Sequence, residues 1–271
     1  MPVTITSNGR VWRRHSPMRD ILGFAAWLAL VAFFVFCWQV MTKDTMWVFV
    51  HDAPAQGADI LARALPPRWS YLASLWKPLW DTLNMATLGT LLGTVIAVPV
   101  AFLAAGNTTP SHALVRPLAL FVIVASRSIN SLIWALLLVS ILGPGMLAGI
   151  IAIALRSIGF IGKLLYEAIE EIDEGQVEAV SATGATGMQV IDYAIVPQVL
   201  PSFIGSVVFR WDINIRESAI LGLVGAGGLG LNLQSSLNVL AWPQVTIIFI
   251  VILATVVVSE WISARVRRAL I

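Results

Sequence analysis

Six ionisable side chains fall well inside long apolar stretches of this sequence. Arg127, Arg156, Arg210 and Arg216 are basic, and Asp212 and Glu217 are acidic. A charge in hydrocarbon is costly, so such residues face a partner or a water-filled cavity, and each is a functional candidate. The chemistry they offer is anion binding. A guanidinium holds phosphate-like oxygens in a planar two-bonded fork and keeps its charge at any accessible pH. Four bases against two acids leave a surplus of +2 per chain, or +4 if two copies pair. The polar Asn130 and Asn214 join the candidate lining. A structural reading stands beside this one: Asp212 and Arg216 are spaced i, i+4 as an intrahelical pair, and Arg210 and Glu217 lie two turns apart on one face. Covalent chemistry has little to draw on. His15, His51 and His112 lie outside the long apolar runs, and Cys37 is the one cysteine, which allows neither a disulfide nor a zinc cluster.

The elements that carry these residues follow from composition. Hydrophobic residues make up 58% of the 271 and charged residues 12%, against about 45–50% and 25% in soluble domains. Mean hydropathy is +0.85. There is too little polar material to coat a water-facing surface. The net charge of +2 is not gathered in a patch or stripe, which argues against a nucleic-acid partner. A bilayer-crossing helix needs about 20 apolar residues. Spans are expected near 20–42, 79–105, 114–141, 146–168, 194–221 and 243–264. The fold class is therefore all-α, a polytopic membrane protein with about six transmembrane helices.

Arg10, Arg13, Arg14 and Arg19 precede an uncharged run from Ile21 to Met41, longer than a signal-peptide core of about 7–15 residues. Residues 1–19 read as a cytoplasmic tail, 20–42 as a retained anchor, 43–78 as an external segment lying along the membrane surface, and 79–268 as the core domain. His112 and Arg116 follow the second span, and Arg265, Arg267 and Arg268 follow the sixth, whereas Gly143-Pro144-Gly145 and residues 222–242 carry no charge. By the positive-inside rule both termini are cytoplasmic. Asn107-Thr108-Thr109, a formal glycosylation sequon, then lies on the cytoplasmic side. At about 1.5 Å per residue, Arg127, Arg156 and Arg210 come out roughly 21, 15 and 17 Å from the external helix ends, a ring near mid-membrane.

Two glycine patterns are misleading. Gly159 to Lys163 lacks phosphate-loop spacing, so ATP is not bound here by that route. Gly225, Gly227, Gly228 and Gly230 fit GxGxxG, but they follow a membrane span and no acid appears before Glu260. They read as a flexible external loop that allows close backbone approach.

The 25-residue loop 169–193 opens with an acidic run and is long enough to suggest a purpose. A short helix near 172–183 is expected to stop at Gly184, with small residues (Ala179, Ser181, Ala182, Ala185) on a face suited to close docking. Pro197 opens the next span, where its missing N–H costs nothing. From Glu178 the sequence EAVSATGATGMQVIDYAIVP resembles the EAA loop of ABC-importer permeases, Glu-Ala-Ala-x3-Gly-x9-Ile-x-Leu-Pro. Glu178, Ala179, Gly184 and Pro197 match, while Val180, Ala194 and Val196 depart from it. The segments Arg127–Trp134, Leu155–Gly159 and Phe209–Ser218 are similar to permeases of phosphonate or phosphite importers, and this likeness covers most of residues 79–268. The resemblance implies a type I importer permease in the bacterial inner membrane. Its partners would be a second copy, two ATPase subunits that bind ATP and magnesium and grip the loop around Glu178, and a periplasmic binding protein. It also places Gly225 to Gly230 at the external mouth. The nearest alternative is the same architecture carrying another solute such as methionine. A stand-alone secondary transporter would call for internal repeats and broken helices with an ion site.

Overall fold

The computed structural model describes residues 3–6, 9–12 and 17–270, so Arg13, Arg14 and His15 of the basic tail lie outside the described residues. Two compact units divide at Asp59 and Ile60. The first opens with a short hairpin, β1 (Val3–Thr6) and β2 (Gly9–Trp12), paired antiparallel with Val3 opposite Trp12. Helix α1 (Pro17–Thr42) follows, and its stretch Asp20–Thr42 is long and apolar enough to cross a bilayer. The anchor expected at 20–42 falls on this stretch.

The surface segment expected at 43–78 is instead two things. Helix α2 (Trp47–Ala64), with Pro54 inside it, bridges the boundary between the units. Beyond it, a 3-10 turn at Trp69–Leu75 runs straight into α3 (Trp76–Ala104). Leu75 of this turn is buried against Leu229, Leu233, Val245, Ile247 and Ile248. The core therefore begins before residue 79, because an apolar turn next to the bundle finds cover there.

The second unit is built on α6 (Met146–Glu170), which packs against α3, α4 (Val115–Ser128), α5 (Ser131–Leu142) and α9 (Val196–Leu221). In a bilayer little water is left to expel between helices, so small residues that let backbones approach set the contacts. Gly89 of α3 faces Ile153, where an added Cβ would lie 2.6 Å from Cγ2, and Gly93 faces Ser157 at 2.7 Å. Gly159 lies so close to α4 that a Cβ there would meet the Ile123 carbonyl and the Arg127 stem. Helices α10 (Gly228–Asn238) and α11 (Trp242–Leu270) belong to the same unit.

Three expectations need correction. The third span is not one straight helix over 114–141: α4 and α5 meet at 88°. Ile129 and Asn130 are extended, and the Asn130 side chain caps α5 by accepting from the Leu132 N–H at 3.1 Å. At about 1.5 Å per residue neither piece reaches the roughly 30 Å of a bilayer alone. Among the described residues five helices are long enough to cross, or six spans if the bent pair is one.

The glycine-rich stretch 225–230 is not a flexible loop. Gly228 and Gly230 belong to the buried start of α10, and Gly222 and Gly230 touch backbone to backbone. The Gly145 N–H donates to the Gly225 carbonyl at 3.0 Å, and the Leu229 N–H to Thr82 Oγ1 at 2.9 Å. Glycine is needed here because the chain crosses itself. Finally, Pro197 lies in the first turn of α9 as expected, but that turn is not a free helix end. A short helix α8 (Gly187–Val190) and a π turn (Ile191–Ile195) run into α9 without a gap. The wider turn, in which the Val196 N–H reaches back to Ile191, accommodates the proline ring and its missing donor.

Replacing Gly93 by Val drives a branched side chain into Ser157 and the Ala154 carbonyl. Overpacking of this kind costs about 1–3 kcal/mol. The variant is expected to melt at lower temperature in detergent, whereas an exposed control such as Gly187→Ala leaves the melting point in place.

Candidate functional site

Helices α6 and α9 bring three of the intramembrane charges together. Glu217 sits between two arginines: its Oε1 lies 3.0 Å from Arg156 Nη1, and its Oε2 lies 3.4 Å from Arg210 Nη2. Arg210 Nη1 also reaches Oε1, at 3.5 Å. Arg210 and Glu217 stand two turns apart on α9, so both point toward the face of α6 that carries Arg156. Arg210 is 2% exposed, Glu217 14% and Arg156 31%, a gradient from bundle interior to open surface.

Neutral groups hold both guanidiniums. Arg210 Nε donates to Ser157 Oγ at 3.1 Å, and its Cζ lies 5.3 Å from the centre of the Phe160 ring. Ser157 also accepts from Asn214 Nδ2 at 3.0 Å, and the same Nδ2 donates to Thr90 Oγ1 of α3 at 2.7 Å. Arg156 Nη1 donates to Asn130 Oδ1 at 3.3 Å and to Ser131 Oγ at 3.4 Å, at the break between α4 and α5. Thus α3, α5, α6 and α9 all contribute to one polar group. A cavity of about 480 Å³ opens over it, lined by Asn130, Ser131, Ile133, Arg156, Glu217 and Ile220 among others.

The ring of three arginines is not formed. Arg127 is exposed in the last turn of α4 and makes no ion pair or hydrogen bond among the described residues; its stem lies across Gly159. The straight-helix depth count fails for it because the span bends two residues later. Arg216 pairs with Asp212, one turn back, and Asp212 Oδ1 accepts from the Ser259 hydroxyl of α11 at 2.6 Å. That pair ties α9 to α11 and stands apart from the Arg156–Glu217–Arg210 group. Sequence reasoning missed Ser157, Ser131 and Thr90. Ser157 and Ser131 adjoin Arg156 and Asn130 in the chain, but nothing local marks Thr90.

At one end of α6 lies a second candidate surface. Helix α7 (Glu174–Ala182) is capped by Asp173, which accepts from the Gly175 N–H at 2.9 Å, and the chain turns at Gly184 with φ +83°. Glu178 and Ala179 are exposed on it. An open groove of about 630 Å³ runs beside α7, lined by Ala179, Val180, Thr183, Gly184, Ala185, Gln189 and Tyr193. Gln198 of α9 ties this surface to the bundle: its Oε1 accepts from the Asp173 N–H at 2.9 Å, and its Nε2 donates to the Ala194 carbonyl at 2.8 Å. On the other flank Glu170 accepts from Arg116 at 2.9 Å and from the Gly106 N–H at 2.7 Å.

Residues 97–271 match the family model of the binding-protein-dependent transport system inner membrane component. The chain belongs to this family. The permease is 40% identical over 257 residues to the phosphite transport system permease protein PtxC of Stutzerimonas stutzeri, which covers 95% of this chain and 90% of that one. It is 44% identical over 227 residues to the phosphate-import permease protein PhnE of Mycolicibacterium smegmatis, covering 82% of this chain and 42% of that one. Among solved structures it resembles the MetNI methionine ABC transporter in an inward-facing conformation, with a TM-score of 0.63 and 25% identity over 73% of this chain and 96% of that one. The permease is a multi-pass inner-membrane protein whose fold is that of type I importer permeases.

Removing one member of a buried ion pair costs about 3–5 kcal/mol because the other charge is left behind. Arg210→Met is expected to fall in this range, measured by unfolding of the purified permease. The double variant Arg210→Met, Glu217→Met should lose less than the sum of the two single losses, since no orphan carboxylate remains.

Proposed function

We propose that this permease moves phosphite, phosphonate or phosphate oxyanions inward across the bacterial inner membrane, in an assembly of two copies with two ATPase subunits and a periplasmic binding protein. The observation that carries the cargo assignment is the pair of guanidiniums on either side of Glu217, Arg156 lining the cavity and Arg210 buried behind it, each also held by neutral partners. Such a pair favours an anion with several oxygens, which a fork of N–H donors grips at two points. A zwitterion such as methionine gives less reason for a positive site, and the phosphite and phosphate transport of the PtxC and PhnE relatives points the same way.

In this reading α7, with the exposed Glu178 as its polar anchor, docks in a cleft of the ATPase subunit, which binds the ATP and magnesium. Movement of α7 reaches the cavity along two rods: α6, whose final turn flanks it, and α9, linked to it by Gln198. Both rods carry the arginine group. Both termini lie on the ATPase side, and the Gly225–Gly230 segment lies at the opposite, external end. Arg156 and Asn130 line the cavity, Arg210 stands behind Glu217 with Asn214 supporting it, and Arg127 adds charge from the rim, while the charge of Arg216 is met by Asp212.

The test is ATP hydrolysis and uptake by the complete complex in liposomes, with phosphite, methylphosphonate, phosphate and methionine supplied in turn. An oxyanion should stimulate hydrolysis, and Glu178→Ala should abolish that stimulation. Arg156→Gln removes a charge-assisted contact worth about 1.5–3 kcal/mol, so uptake should fall about tenfold or more. Stimulation by methionine alone would sink the oxyanion reading and leave the importer architecture standing.

A further inference from the structure

Glu217 holds the position that a bound oxyanion would take. Its two carboxylate oxygens face Arg210 side by side, and one of them also meets Arg156. This is the two-oxygen geometry in which guanidinium binds phosphate-like groups. The contacts to Arg210 are long, 3.4 and 3.5 Å, against about 2.7–2.9 Å for a tight charge-assisted bond. Both guanidiniums are anchored without it, Arg210 by Ser157 and Phe160, Arg156 by Asn130 and Ser131. Withdrawal of the carboxylate would leave an assembled fork. Glu217 also borders the cavity, which has room for a small tetrahedral anion with several waters, at about 30 Å³ of liquid volume each.

Charge gives the second argument. With Glu217 in place the group carries one net positive charge; without it, two. A permanent pair of bare guanidiniums in a low-dielectric site would grip an oxyanion too firmly to release it, because buried charge pairs couple strongly. A carboxylate on the same helix face competes for the same donors by a change of side-chain rotamer alone. Transport needs a site that binds and then lets go.

We propose that Glu217 is an internal stand-in for the cargo: its carboxylate fills the Arg156–Arg210 fork when the pathway is empty, yields to an entering oxyanion, and returns to expel it. This rests on the oxyanion reading of the preceding subsection. A purely structural ion pair would show the same distances but would not compete with added anion.

The experiment uses the permease–ATPase complex in nanodiscs, wild type beside Glu217→Gln, with phosphite as the probe. Phosphite affinity is measured directly, and melting temperature is followed with and without the anion. Glu217→Gln should melt lower than wild type in plain buffer, recover on addition of phosphite, and bind phosphite at least about tenfold more tightly. Adding Arg156→Gln to the same chain should cancel the gain. In a parallel arm the wild-type complex with its binding protein is tested for stimulation by phosphite, methylphosphonate and phosphate. Stimulation of wild type with no gain in affinity from Glu217→Gln overturns the stand-in and keeps the oxyanion function. Absence of stimulation by any of the three overturns both. If the glutamine variant does not assemble, Glu217→Asp retains the charge on a shorter arm; it should also bind phosphite more tightly, by a smaller factor, and unchanged affinity would overturn the proposal.

Discussion

A guanidinium sealed within a helix bundle must be met by donors' complements on every side, and the burial of Arg210 imposes this condition on the helices around it. Its Nε requires an acceptor, which Ser157 supplies from α6; its terminal nitrogens require a counter-charge, which Glu217 supplies from α9 itself. Ser157 in turn is shared with Asn214, and Asn214 with Thr90 of α3. Hydroxyls and amides at these positions fix how α3, α6 and α9 rotate against each other. The glycines beside them, Gly89 and Gly93, fix how closely the helices approach. Polar satisfaction and small-residue packing thus set the same three helices in one arrangement.

The bend between α4 and α5 serves the same group from the other side. By interrupting the third span, residues 129 and 130 bring the Asn130 cap and Ser131 to Arg156. A straight helix would turn its backbone inward on itself at this depth and offer no capping side chain. Irregular backbone at membrane depth is tolerated where it is buried in protein or lines a cavity, and this break does the latter. The glycine-rich crossing at Gly222, Gly225 and Gly230 is a second irregular stretch, and it is held by a backbone hydrogen bond to the Gly145 turn and by Thr82.

The α7 surface and the arginine group are distant in sequence yet share their supports. Helix α6 carries Arg156 in its middle and Glu170 at its end; α9 carries Gln198 near its start and Arg210 and Glu217 further on. Helices α6 and α9 therefore join the α7 surface to the charged group, and they also meet through Leu165 and Val199, through the Phe160–Phe209 ring pair and through the Asn214–Ser157 hydrogen bond. Coupling between distant sites is carried by packed side chains, hydrogen bonds and rigid elements of this kind.

Much of this was legible in the residues alone. Long uncharged runs are stable in lipid, so helical spans and their approximate limits follow from composition and length, and an apolar helix over 20–42 and the short helix before Gly184 appear where expected. Backbone chemistry is local, and glycine at a left-handed turn announces itself. The i, i+4 pairing of Asp212 with Arg216 was equally visible, since it depends only on helical periodicity. The tertiary structure decided what depends on contact between distant segments. Sequence spacing could not exclude Arg127 from the charged group, because its depth depended on a bend made by two residues in extended conformation. Nor could it distinguish a loose glycine loop from one clamped against α3, because glycine permits both and only the partner backbone selects. Above all, Glu217 lies seven residues from Arg210 but 61 from Arg156, and its position between them arises from the crossing of two helices, which no local pattern encodes.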